Sequence, residues 1–565
     1  MKRKNILSYL LFLTGLVLLG VATDLFSARI DLTEDKRYTI SEPSKHVIEN
    51  LDDVIFIRIY LDGEMPVHIK KFRSSVREKL NELKRYSRKN IQYEFRNPSE
   101  GSDEKRIAVF NELMQKGLTP LTIRENDAEG GATQRMIFPG ALVNYKGKEL
   151  PVNFVKTNQK LSVEENLNLA LQNLEYELVN VIQKISRTSK DKIAFIEGHG
   201  ELDDNSLWGI SESLSEYYDI DAVIIEGATG ILDEYKAVVI AKPMERWSEA
   251  DKFVVDQYIM RGGRTAWFVD AVHVHEDSLS RGETTVGLVC EHNLNDQLFN
   301  YGVRINPNVV QDMQCSKIRI DVSLPGMPPD FRFAPWTYFP LLWTPSDNPI
   351  TKGIDLVKAQ YPGVIDTVGS SAAVKKTYLL YSSENAKVTN APLIVSLSQV
   401  DERITQQVFN RSYLPVAVLL EGEFNSPFRN RIVSQYITSP GFTFTSKSVK
   451  TKMIVVSDGD IIRNDVNKAG IEIIPYRLGY DRHTEYTYGN NDFAMNVINY
   501  LTDEGGLMEI KNRTLKMRLL DNSKIAYNHT KIILINTLIP PAIVILCGIV
   551  FVIYRRKKFT KFITN

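Results

Sequence analysis

The chain has 565 residues, enough for three or four domains, and with 43% hydrophobic and 10% aromatic residues it is expected to be ordered. Its two tips contribute eight basic and no acidic residues, which leaves 61 basic against 69 acidic residues in the body, a net charge of −8; the tip residues are Lys2, Arg3, Lys4, Arg555, Arg556, Lys557, Lys558 and Lys561. A mildly acidic body argues against nucleic acid as a partner, because nucleic-acid binding favours a clustered basic face.

An uncharged apolar segment lies near each end of the chain. Residues 6–22 follow the first basic tip and residues 532–554 precede the second. About 20 apolar residues cross a bilayer as a helix, so we expect a transmembrane helix in residues 1–28 and another in residues 531–565. Because basic flanks stay in the cytoplasm, both termini are predicted to be cytoplasmic and the body to lie outside. A cleaved signal peptide is the alternative for the first segment, and it places the body on the same side.

Residues 29–160 are predicted to form an N-terminal α/β domain. An apolar run at 54–63 is typical of a buried strand, and residues 91–95 alternate as a second strand. Apolar residues recur at helical spacing between them: Ile69, Phe72, Val76, Leu80 and Leu83. With parallel strands this unit resembles a thioredoxin-like domain, but without a CxxC motif it implies no redox chemistry. Further strands are predicted at 136–146 and 149–155.

A connecting helix is predicted over residues 161–188. Ser162 and Glu165 have the spacing of a capping box. A heptad-like seam follows, formed by Leu167, Leu171, Leu174, Leu178, Val181 and Ile185. Two interpretations stay open: a helix packed within the protein, or a short coiled-coil contact with a partner.

Residues 189–330 carry the clearest fold signal. Apolar, non-alternating strands alternate with helical stripes, and Ser248 and Asp251 are predicted to cap one of these helices. This pattern predicts an α/β domain with a doubly wound parallel sheet. Residues 331–530 are richer in short strands and turns, and are predicted to form a mixed α/β domain with a juxtamembrane segment, whose strands could join the preceding sheet.

The candidate ligand-binding residues are Glu197, His199, Glu201 and Asp270. The first three follow the first strand of the predicted parallel sheet, and ligands of such sheets bind at the carboxyl ends of the strands. A histidine between two carboxylates could bind a metal or act as a general base, and His273 and His275 could join it. The alternative is a glycine turn whose polar side chains bond the neighbouring loop. We predict this second case, with no catalytic residue, metal or cofactor.

The stretch from YKAVVIAKP to YIMRGGRTAWFVDAV resembles the class I glutamine-amidotransferase-like fold. Enzymes of that fold place a nucleophilic cysteine after this last strand, where this chain has Asp270-Ala271-Val272. The missing nucleophile implies a fold kept as a binding or scaffolding module without the catalysis. The sequence also lacks GxxxxGK[ST], so nucleotide is not bound in the P-loop manner. Whether Cys290 and Cys315 form a disulfide is left open.

Several motifs in order resemble the ABC-transporter auxiliary proteins, and among them the gliding-motility members of Bacteroidetes. They are DLTEDKRYTIS, NLDDVIFIRIYLDG, EGHGE, YIMRGGRTAWFVD and GNNDFAMNVINYLTDEGGL. The resemblance implies a two-pass protein of the inner membrane that works with a separate permease and a separate ATPase. It also implies a role in gliding and associated secretion, and a periplasmic partner or substrate for the body. The alternatives are an envelope scaffold without a small ligand and a membrane-anchored metal-dependent hydrolase.

Overall fold

The computed structural model describes residues 14–15, 39–126, 132–156, 161–187, 189–323, 327–369, 373–401, 405–467, 474–512 and 522–560. The chain divides into two compact units, Met1–Arg513 and Thr514–Asn565. The predicted first membrane span lies outside the described residues, apart from residues 14 and 15.

The α-helices are α1 (Glu42–Glu49), α2 (Val67–Tyr86), α3 (Asp103–Gln115), α4 (Val163–Ser186), α5 (Asp204–Ser215), α6 (Glu249–Met260), α7 (Glu276–Gly282), α8 (Asn295–Tyr301), α9 (Asn490–Thr502) and α10 (Asn522–Thr560). Short 3-10 helices cover Leu397–Asp401, Ser434–Tyr436, Gly459–Ile462 and Leu507–Asn512.

The strands are β1 (Ile55–Ile59), β2 (Ile91–Phe95), β3 (Leu121–Asn126), β4 (Ala132–Ile137), β5 (Gly140–Tyr145), β6 (Lys148–Asn153), β7 (Asp191–Glu197), β8 (Tyr218–Ile224), β9 (Ala237–Ala241), β10 (Thr265–Phe268), β11 (Val272–Val274), β12 (Thr284–Val289), β13 (Val303–Ile305), β14 (Asn308–Asp312), β15 (Cys315–Asp321), β16 (Phe331–Leu342), β17 (Val357–Lys358), β18 (Ile365–Thr367), β19 (Val374–Tyr381), β20 (Ala386–Asn390), β21 (Leu393–Ser396), β22 (Pro415–Gly422), β23 (Thr451–Val456), β24 (Val466–Asn467), β25 (Ile474–Pro475), β26 (Tyr480–Asp481) and β27 (Tyr486–Thr487).

The N-terminal sheet has the order β2-β1-β5-β6, and β1 and β2 are parallel. The strand-helix-strand unit β1-α2-β2 predicted from the sequence is confirmed, and α2 buries the predicted apolar stripe. The hairpin β3-β4 is an addition that the sequence analysis did not predict.

Helix α4 begins with the predicted capping box. The Ser162 hydroxyl accepts from the Glu165 amide at 3.2 Å, and Glu165 Oε2 accepts from the Ser162 amide at 2.8 Å. The helix packs against α1, α2, β5, β6 and the 3-10 helix Leu507–Asn512. The seam is therefore covered within the protein, as the first of the two interpretations predicted.

The central sheet has seven strands in the order β19-β22-β23-β10-β9-β7-β8. The five strands from β23 to β8 are parallel. Strand β22 pairs antiparallel with β23, and the edge strand β19 pairs antiparallel with β22. Alternate side chains enter two separate cores, one shared with α5 and α9 and the other with α6 and α8. The mixed α/β class is confirmed, and strands from the region 331–530 join the preceding sheet.

The helix α10 contains the second predicted span. Residues Ile533–Lys557 form a 25-residue stretch with a mean hydropathy of 2.5, long and apolar enough to cross a membrane. Among the described residues it is the one helix that meets this test.

Candidate functional site

Charged residues follow the carboxyl ends of β7, β9, β10 and β23. Parallel strands end at the same edge of the sheet, and this edge is the usual ligand position in α/β sheets. The turn after β7 carries His199, whereas Lys242 follows β9, Asp270 follows β10, and Asp458 and Asp460 follow β23. The residues form two clusters with different partners.

His199 lies between two carboxylates. Its Nδ1 is 3.2 Å from Glu201 Oε1, and its Nε2 is 3.2 Å from Asp251 Oδ2. The imidazole stacks on the Trp247 indole with the ring centroids 4.0 Å apart. Gly200 has φ of 72°, a conformation that glycine adopts readily, and it turns the loop so that Glu201 can reach back to the ring.

These contacts favour a charged imidazole. Burial on its own lowers the pKa of His199, but the hydrogen bonds to Asp251 and Glu201 more than offset it and raise the pKa to about 9. Asp251 also accepts from the Ser248 hydroxyl at 2.6 Å and from the Gly227 amide at 2.7 Å. The cluster ties the β7 turn to the start of α6.

The second carboxylate on His199 is Asp251, and not Glu197 as the sequence suggested. Glu197 is the last residue of β7 and is half-buried. His273 and His275 do not join His199 either, since their rings bond each other at 3.1 Å while both nitrogens of His199 are taken. The sequence pattern indicates Asp251 only as part of the α6 cap, where the Ser248 hydroxyl accepts from its amide at 3.0 Å.

Asp270 belongs to the second cluster, which the sequence analysis missed. Lys242 Nζ lies 3.1 Å from Asp270 Oδ2 and 2.5 Å from Asp460 Oδ2. Arg463 Nε lies 2.8 Å from Asp460 Oδ1. The signal for this cluster in the sequence is a charged residue shortly after the end of each of these apolar strands.

Backbone amides bind the remaining carboxylate oxygens of this cluster. Gly459 donates to Asp270 Oδ1 at 2.6 Å, while Asp460 and Gln360 donate to Asp458 at 2.8 and 2.6 Å. A side chain at Gly459 would put its Cβ 2.4 Å from the Cβ of Lys242, so only glycine fits here.

The electrostatics of the cluster follow from its burial. Burial raises the pKa of Asp270 and of Asp458. It acts in the same direction on Asp460, but Arg463 and Lys242 lower the pKa of that carboxyl overall. Carboxylate oxygens of Asp270, Asp458 and Asp460 lie within 4.8 Å of one another, as in a metal site. The Lys242 ammonium already binds two of the three carboxylates.

Cys290 is the cysteine nearest to the expected nucleophile position. Its amide donates to the Ala271 carbonyl at 3.1 Å, and its thiol is buried and free. The half-buried Cys315 is free as well, so the two do not form a disulfide in this structure. Burial and the Asp270 charge raise the pKa of the Cys290 thiol to about 12. A nucleophilic cysteine needs the opposite shift.

A groove of about 560 Å³ lies at the carboxyl ends of the other parallel pair, β1 and β2. Its volume is in the range of ligand sites. Loops after β1 and β2, helix α3 and strand β4 line it. The lining combines charged and apolar side chains, including Asp62, Glu64, Arg106, Arg135, Met65 and Phe110.

Comparisons with known proteins give the family. Residues 190–497 match the family described as an ABC-type uncharacterized transport system, and residues 34–144 match a domain of unknown function (DUF7088). The first match covers more than half of the chain, so the chain belongs to that ABC-type transport family. This membership supports a transporter-associated auxiliary role and association with transporter components.

One relative matches along its whole length. An uncharacterized protein of Borreliella burgdorferi is 20% identical over 569 residues, covering 98% of this chain and 99% of the relative. The solved mmIFT52 N-terminal domain is 13% identical, with a TM-score of 0.31 and coverage of 55% of this chain and 97% of that one. A protein described as ThuA-like, from Parabacteroides merdae, is 11% identical, with a TM-score of 0.26 and coverage of 56% and 90%. Such low TM-scores support no structural argument.

Proposed function

We propose that this protein is a non-catalytic auxiliary subunit of an inner-membrane ABC transporter complex. Membership of the ABC-type transport family is the observation that carries this proposal. The subunit crosses the membrane twice with both termini in the cytoplasm, and its body lies in the periplasm. Its partners are a separate permease and a separate ATPase. The finer assignment is to proteins like GldG of Bacteroidetes, which links the complex to gliding motility and associated secretion.

The two α/β regions have different roles in this proposal. The amidotransferase-like region acts as a scaffold, because Lys242 and Arg463 bind its strand-end carboxylates and the Cys290 thiol has a raised pKa. The thioredoxin-like region binds a periplasmic partner or substrate in the groove that Arg106 and Arg135 line. We propose the same domain boundaries as the sequence predicts: residues 29–160, 161–188, 189–330 and 331–530 between the two membrane segments.

Gentle detergent extraction of the tagged full-length protein tests the assignment. We expect a permease and an ATPase among the co-purifying subunits. Stoichiometric zinc or iron in the purified protein, lost on His199→Ala, would instead favour the hydrolase. Recovery of the tagged protein without any transporter subunit would favour the envelope scaffold.

The second span offers a sharper version of this experiment. Pro540 and Pro541 lie inside α10 and leave backbone carbonyls without helical donors, and Asn536 adds a polar side chain. We expect a protein neighbour to cover this part of the helix. Changing all three residues to leucine should keep insertion but reduce permease recovery. Unchanged recovery would mean that docking occurs through the periplasmic body.

A further inference from the structure

A small pocket lies where several segments of the larger unit meet. It has a volume of about 20 Å³ and is lined from the end of β6, from α4 and α9, from the loop before β17 and from the 3-10 helix Leu507–Asn512. Its charged lining residues are Lys156, Lys352, Lys511, Glu177 and Asp492. The formal charge of the lining is therefore positive.

Both lining carboxylates contact the same lysine. Lys156 Nζ lies 3.3 Å from Glu177 Oε1 and 3.5 Å from Asp492 Oδ1. The Lys156 side chain is 40% exposed, whereas Lys352 and Lys511 are 5% and 2% exposed. The negative charge of the pocket is thus concentrated at its exposed lysine, and the positive charge lies deeper.

Lys511 is a buried ammonium whose contacts in the described ranges are with neutral groups. Its Nζ lies 3.0 Å from Asn496 Oδ1 and 4.4 Å from the centre of the Tyr176 ring. Burial, together with the ammonium of Lys156, lowers the pKa of Lys511 to about 8, and the charges of Glu177 and Asp492 offset this only in part. Buried charges in proteins are normally paired, so an anion beside Lys511 would supply the missing charge.

A second lining residue also points to a ligand. Asn173 Oδ1 is buried and has no hydrogen-bond partner within the described part of the chain. Rotation of the amide by 180° exchanges its oxygen and nitrogen and turns an N–H donor to the same position. An anion accepts from such a donor, and would satisfy the amide and the ammonium together.

We propose that this pocket binds one inorganic anion of halide size, held by Lys511 and the Asn173 amide. About 10–15 Å³ suffices for one water molecule, so the pocket fits a monatomic anion and is too small for phosphate. The site does not depend on the proposed transport role. The bound anion joins the segment that precedes α10 in the chain to α4 and α9.

Thermal unfolding of the full-length protein in detergent tests this site. At constant ionic strength, replacing gluconate by chloride or bromide should raise the Tm saturably, on the order of 2 °C, because the anion binds only the folded state. Phosphate at the same ionic strength should not reproduce the rise. Lys511→Met should abolish it.

Lys252→Met is the matched control. Lys252 is 1% exposed, like Lys511 deeply buried, but it has its own carboxylates in Glu249 and Asp296, at 2.9 and 2.7 Å. This variant should lose stability yet keep the chloride-dependent rise. If Lys511→Met does not fold, saturable broadening of the 35Cl NMR signal by the wild type, reversed by bromide, supports the site. No chloride effect in the wild type, an equal effect of phosphate, or a full effect in Lys511→Met would overturn it.

Discussion

The carboxyl ends of parallel strands meet at an edge in two places in this protein, and the polar side chains there behave differently. Beyond β9, β10 and β23 the charged groups bind one another, with Lys242 Nζ 3.1 Å from Asp270 and 2.5 Å from Asp460. Beyond β1 and β2 charged groups also pair, Arg73 with Asp62 at 2.8 Å and Arg135 with Glu64 at 3.4 Å, but they leave a groove of about 560 Å³. Strand topology therefore marks where a ligand could bind, but whether the paired side chains fill the edge decides whether it is available.

The largest effect on stability is expected from removing Lys242, the lysine at the edge beyond β9, β10 and β23. Lys242→Met leaves Asp270 and Asp460 buried without their ammonium, and should reduce the free energy of unfolding by about 3–5 kcal/mol. Denaturant unfolding measures this. Lys447→Met is the control, because Lys447 pairs with Glu423 at the surface with 57% of its side chain exposed, and should cost about 1 kcal/mol or less. Equal losses for the two variants would contradict the structural role of Lys242.

The His199 cluster should give the next largest effect. His199→Ala removes a cation held by two carboxylates and one stacked ring, so we expect a loss of about 2–4 kcal/mol without loss of a metal. A single hydrogen bond would account for only about 1 kcal/mol. A loss no greater than that in chemical unfolding would show that the two ion pairs contribute little.

The same cluster predicts a pH dependence. The pKa of His199 is about 9 in the folded state and about 6.5 in the unfolded state, so its stabilisation is complete below pH 6.5 and is lost as the pH rises through 9. The groups facing the ring, Glu201 and Asp251, are the carboxylates that hold its charge. The stability difference between wild type and His199→Ala should therefore shrink between pH 6.5 and 9.5. A difference that stays constant or grows would show that the imidazole is neutral.

A substitution in the groove beyond β1 and β2 should weaken partner binding but leave the free energy of unfolding nearly unchanged. Arg135→Glu reverses a charge in the lining and should reduce recovery of a periplasmic partner at least tenfold, while the free energy of unfolding changes by about 0.5 kcal/mol or less. Lys71→Glu is the control, since Lys71 is exposed on α2 and is not among the lining residues. Equal partner recovery with both variants would mean that the groove is not the binding surface.

The sequence predicted the features that depend on local patterns. Apolar periodicity identified β1-α2-β2, continuous apolar runs identified the parallel strands of the central sheet, and Ser162 and Glu165 identified the start of α4. The pairs that define the site join distant residues, since His199 and Asp251 are 52 positions apart and Lys242 and Asp460 are 218 apart. No local periodicity encodes such contacts. The groove was missed because the β3-β4 hairpin beside it was not predicted.

Complementation by a charge-neutral double variant tests the central claim most directly. Lys242→Met with Asp270→Asn removes one positive and one negative group, keeps the formal charge of the cluster, and leaves an amide oxygen to accept from Gly459. In a strain that lacks this protein, the double variant should accumulate and restore the wild-type phenotype, because the edge only holds the fold together. A double variant that accumulates to the wild-type level but fails to complement would show that Asp270 or Lys242 acts on a ligand.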